Sequence, residues 1–163
     1  MRFLEIGLFS GLILHIIQGL KLWSQNNKAR PIEYHYNQPS KNSKWYSRSM
    51  GILGTLLLLF LIIHLSNFYV GTKVALYSGD QYHNLFEEMK EVFSVNWVVA
   101  LYVAGVIALF WHLYHGFQSA FQSLGINHKK YTPLLKTIGL GYAIIICLLF
   151  ALMPISMFLG CIK

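Results

Sequence analysis

Four long apolar runs, separated by polar segments, organise the chain. They extend over about 3–23, 49–70, 96–121 and 134–160. Each reaches the roughly 20 helical residues needed to cross a hydrocarbon layer. Lipid offers no partner for unpaired backbone groups, so each run predicts a continuous helix. Pro154 is expected to interrupt the fourth near its end. One polar segment, 81–93, has a pattern of its own. Leu85, Phe86, Met89, Val92 and Phe93 recur with helical spacing, and Glu87, Glu88, Lys90 and Glu91 lie off that face. This predicts a short amphipathic helix, either lying on the membrane surface or closing the bundle as a lid. There is no internal repeat and no low-complexity tract. The fold expected is an all-α membrane protein, a single domain over 1–163 in which four transmembrane helices form a bundle.

Composition sharpens this picture. Hydrophobic residues make up 55% of the 163 positions and charged residues only 12%, against about 25% charge in a soluble domain. A mean hydropathy of +0.48 cannot be hidden inside so small a water-soluble globule. An ordinary cytosolic enzyme, a disordered tail and a nucleic-acid binder are thereby excluded. The net charge of +7 becomes a topology signal. Lys21, Lys28, Arg30, Lys41, Lys44 and Arg48 flank the first connection, and Lys129, Lys130 and Lys136 the third. The positive-inside rule places the loops 24–47 and 122–133 in the cytoplasm. Spans one and three then run inward, and spans two and four outward. Trp23, Trp45, Tyr46 and Tyr131 fall at the inner interface, and Tyr69 and Trp97 at the outer one. The apolar stretch after Arg2 carries Glu5 and no small-residue cleavage site, so a cleavable signal is not expected. Cys147 and Cys161 form no CxxC or CxxCH motif, and they read as small hydrophobes.

The candidate chemistry lies in the histidines. The interiors of the spans hold no Asp or Glu but four histidines, His15, His64, His112 and His115. Ionisable residues at membrane depth are functional hypotheses by default, and imidazole is a ligand of haem iron. His15 lies eight residues before Trp23, and His112 eight before Ala120. Both therefore sit about 12 Å from the inner surface. His15 has Gly11 and Gly19 at i−4 and i+4, and His112 has Ala108 and Gly116. These neighbours stack one turn above and below the imidazole on the same face. A flat porphyrin can approach a helix only where that face lacks bulk, so the pair suits a bis-histidine haem b. His115 is flanked instead by Trp111 and Ser119, which favours His112 as the ligand and His115 as a hydrogen-bonding neighbour. His64 lies about 24 Å from the inner surface between Phe60 and Phe68. It reads as a ligand at a second, outer level or as a residue bonded to a neighbouring helix. His35, His83 and His128 fall in loops and read as solvated.

Three stretches carry a family likeness: SQNNKARPIEYHYN after span one, SKWYSRSMGILG entering span two, and HLYHGFQSAFQSLGINHKKYTP closing span three. With these the chain resembles the cytochrome b membrane subunits of succinate dehydrogenase and fumarate reductase, in their single-polypeptide, two-haem, menaquinone-linked form. The resemblance implies five membrane helices, with four histidines ligating two stacked haems. His15 matches the second ligand, His64 the third and His112 the fourth. The second and fourth share the inner haem, in agreement with the depths above, and His64 would hold the outer haem with a ligand absent from this chain. The family's first helix has no counterpart here, which suggests a truncated or mis-started gene model. The partners implied are a flavoprotein and an iron–sulfur subunit on the cytoplasmic face of a bacterial inner membrane, with quinone and the lipid bilayer. Lys28, Arg30, Tyr46, Arg48, Lys129 and Lys130 lie where those subunits or haem propionates would be met, and topology retention accounts for them equally. Two alternatives remain at this level: the b-type cytochrome of a hydrogenase or formate dehydrogenase, and a cofactor-free scaffold or small transporter.

Overall fold

A computed structural model describes residues 2–29, 38–79 and 84–162. Their regular structure is helical, with no strand among the described residues. The chain divides into two compact units, Met1–Thr55 and Leu56–Lys163. Arg30, His35 and His83, and the first three residues of the 81–93 segment, lie outside the described residues.

The first unit opens with α1, Arg2–Lys28. None of its residues with a described burial is buried. Two short helices follow, α2 (Pro39–Asn42) and α3 (Trp45–Arg48). The Arg48 guanidinium folds them into a hook by donating to the Pro39 carbonyl at 2.9 Å and to the Ser43 carbonyl. That cation is thus engaged with its own chain. The next helix, α4, runs Met50–His64 and enters beside the end of α1. A Cβ added at Gly51 would lie 2.6 Å from the Trp23 indole, so the missing side chain is what lets that ring seat on α4.

In the second unit the same span continues past His64 as a π-helical segment, Leu65–Val70, and then as α5, Gly71–Ser78. Together they give one apolar rod over Met50–Ser78. Gly79 ends it with φ 75°, a conformation that other residues adopt at a steric cost. The amphipathic segment forms α6, Leu85–Phe93, with Asn84 capping it by accepting from the Phe86 amide at 3.0 Å. It packs against α7 (Asn96–Ser123), α8 (Thr132–Phe158) and the π-helical segment. Phe93, 3% exposed, is its anchor. α7 and α8 form an antiparallel hairpin with Ala143 at its centre, fully buried. Gly139 receives the Phe117 ring, 2.6 Å from where a Cβ would stand. α8 continues through Pro154 to Phe158. The expected interruption does not occur; membrane helices tolerate proline where neighbouring helices or local turn adjustments satisfy the freed backbone groups.

Gly105 on α7 plays the same part for Phe60 of α4, with 2.5 Å between its missing Cβ and the ring. Gly105→Val is expected to destabilise the bundle by about 1–3 kcal/mol through overpacking. Gly141→Ala, where a Cβ meets nothing within 4 Å, is expected to be neutral or better. Thermal inactivation in detergent compares the two.

Candidate functional site

The sequence singled out small residues one turn from each histidine. Among the glycines of the long helices the structure shows two contrasting settings. Gly51, Gly105 and Gly139 are each filled by an aromatic ring from a neighbouring helix. Gly11, Gly19 and Gly116 are not: a Cβ built at any of them meets nothing within 4 Å. The face of α1 that carries His15 is therefore open one turn above and one turn below the imidazole, and His15 itself is exposed. Gly7, a further turn along, is open as well. On α7 the opening lies below His112, at Gly116, while Ala108 above it is buried at 7% exposure. His112 is half-buried, with its Nδ1 out of solvent. His115 is half-buried on the same helix. A flat ligand that needs a bare helix face finds one at His15 and, on one side, at His112.

His15 belongs to the first unit and His112 to the second. Their pairing rests on the depth each occupies in its own helix. Both helices are long and apolar enough to cross a membrane.

His64 has different surroundings. It closes α4 just before the π-helical segment. Its ring stacks on Phe60 at 5.9 Å and 25°, meets Phe68 edge-on at 5.5 Å, and faces Tyr102 of α7 at 6.1 Å. The crowding foreseen at i−4 and i+4 is thus present. The imidazole is nevertheless exposed on its remaining side, where a group could approach from beyond the described helices. Tyr102, 5% exposed, touches all four of Phe60, His64, Phe68 and Phe93. Its hydroxyl accepts a hydrogen bond from the Asn67 amide at 3.1 Å. Sequence reasoning missed this cluster. The i, i+4 series Phe60–His64–Phe68 was a visible hint, whereas nothing in LSNFYV announces a π-helix.

At the basic ends the cations are exposed. Lys130 places Nζ 5.6 Å from the Tyr131 ring, and its backbone amide donates to His128 Nδ1 at 3.2 Å. His128 is thus part of the turn that joins α7 to α8. A groove of about 300 Å³ between α7 and α8, lined by Val106, Phe110, Cys147 and Ala151 among others, presents only hydrocarbon and brings no ligand donor together.

Comparison with known proteins agrees with this architecture. The family model described as "Succinate dehydrogenase/Fumarate reductase transmembrane subunit" matches residues 26–155. Neither the curated proteins nor the solved structures return a match.

Proposed function

The chain belongs to the succinate dehydrogenase/fumarate reductase transmembrane-subunit family, and from that premise we propose that it both anchors such a complex and carries its electrons, from a cytoplasmic iron–sulfur subunit through haem b to menaquinone. It is a multi-pass integral membrane protein. The bacterial cytoplasmic membrane is the location proposed, with the 24–47 and 122–133 loops facing the flavoprotein and iron–sulfur subunits.

The observation that carries the reading is the open glycine framing of His15 and His112. Haem b, when bound, supplies a one-electron iron couple. The residues of this chain do the rest. The His15 and His112 imidazoles would hold the inner group. Gly11 and Gly19 leave room for a planar ring against α1, and Gly116 leaves room on one side of His112 on α7, where Ala108 on the other side is buried. The apolar surroundings exclude water, which sets the potential of a buried iron centre. His115, one turn from His112 and half-buried, serves as a hydrogen-bonding neighbour. His64, an exposed residue, would hold an outer group. Lys28, Lys129 and Lys130 are exposed and available to soluble subunits, while Arg48 already bonds to the carbonyls of Pro39 and Ser43. The family assignment favours this reading over the hydrogenase cytochrome and the transporter.

Membranes that contain the complete complex provide the test. Adding succinate is expected to reduce a b-type haem, and deleting this chain is expected to release the soluble subunits and abolish that reduction. Haem that stays oxidised in the intact complex would overturn the electron-carrying role and leave only the anchor.

A further inference from the structure

Tyr102 stands where four aromatic side chains meet, and one of them is His64. An imidazole at the end of a helix has a broad torsional range about its outer bond. Here three rings narrow it. Phe60 lies nearly parallel to it, Phe68 abuts it edge-on, and Tyr102 closes from α7. In an α-helix, residues four apart are offset by about 40° around the axis. The π-helical turn that follows His64, closed i to i+5, brings Phe68 closer to alignment with it and turns Asn67 toward Tyr102. The Thr72 hydroxyl donates to the Phe68 carbonyl at 2.6 Å where that segment ends.

Asn67 is an expensive residue for this place. Its amide and the Tyr102 hydroxyl must find each other within apolar surroundings or be left unsatisfied. Leucine and phenylalanine would fill the same space without that risk. What the polar pair adds is direction, a bond of 3.1 Å that fixes one ring of the cluster relative to the π-helical segment. Resting on the reading that His64 is a haem ligand, we infer that Tyr102 is a positioning residue for the outer haem: it sets the plane of the His64 imidazole, and Asn67 holds Tyr102 in place. The orientation of an axial imidazole is one of the protein's means of tuning a metal centre, and the groups that fix it act without touching the metal.

The test uses the purified full complex, with haem counting, low-spin electron paramagnetic resonance and potentiometric titration. Tyr102→Phe and Asn67→Leu keep the bulk and remove the bond. Each is expected to shift the resonance and potential of the outer haem while the inner haem stays unchanged. Tyr102→Leu removes the wall itself, and about a tenfold loss in retention of the outer haem is expected. Wild-type resonances and potentials in both conservative variants would overturn the inference. So would a shift of both haems together with lost thermal stability, because that is the behaviour of a packing residue. His64→Ala separates the levels. If it costs no haem, the ligand reading fails and this inference with it. If it costs one haem while Tyr102→Phe and Asn67→Leu change nothing, this inference fails alone.

Discussion

His15→Ala or His112→Ala is expected to abolish the inner haem, whereas His115→Ala retains it. Loss of groups that merely orient a metal ligand costs about 10–100-fold in affinity, so loss of the ligand itself should exceed that range and leave no inner haem through purification. The distinction between His112 and His115 rests on what flanks each. One turn from His112 stands Gly116, with open space where a side chain would be. One turn from His115 stand Trp111 and Ser119, both half-buried. The Trp111 ring already packs against Phe110 at 5.1 Å and Tyr114 at 6.4 Å, so that side of His115 is occupied. Haem quantification on the three variants, each checked for insertion and monodispersity, reads the result. Retention in the His112 variant with loss in the His115 variant would transfer the ligand role to the neighbour.

The second large effect concerns the bare helix faces. Gly19→Leu and Gly116→Leu place branched side chains in space that is empty in the structure. If that space takes a porphyrin, each substitution overpacks it. A penalty of about 1–3 kcal/mol corresponds to about a 5- to 150-fold weaker hold on the inner haem. Gly141→Leu is the control, since Gly141 is equally open but lies on α8, which carries no candidate ligand. Glycines at 19 and 116 that accept leucine with full haem content would show that the openings serve lipid or a neighbouring helix instead. The contrast with Gly105 matters for the interpretation. There the space is already filled by Phe60, so a substitution acts on folding, whereas at Gly19 and Gly116 it should act on cofactor binding with the apoprotein intact.

Much of this was legible in the chain, and the reason is the solvent. A run of about 20 apolar residues has one stable conformation in lipid, so α1, α7 and α8 follow closely from the sequence, whereas the second rod runs on past its expected end at Val70 through all of α5, Gly71–Ser78. The extra turn of α1 up to Lys28 is polar and therefore invisible to an apolar count. The histidine depths follow from the same regularity. The glycine sorting does not. Gly19 and Gly116 lie four residues from a histidine and Gly51 and Gly105 do not, but it is tertiary packing that decides which receive a ring. For α6 an amphipathic pattern fits a lipid surface and a protein surface equally, and its anchor at Phe93, 3% exposed, is a matter of tertiary packing. The helix through Pro154 reversed a rule drawn from water-exposed helices. The π-helical segment had no precursor in the pattern, because the widening of its turn belongs to the packing of Phe60, His64, Phe68 and Phe93 around Tyr102.

The central claim is that His15 and His112 hold one haem between them, and the reduced-minus-oxidised absorption spectrum of the purified protein tests it most directly. The account predicts the α-band of a low-spin b-type haem in the wild type, a contribution to it that disappears in both His15→Ala and His112→Ala, and no such loss in His115→Ala. A stable, folded wild-type protein without an α-band, or an α-band that survives both substitutions unchanged, would contradict it.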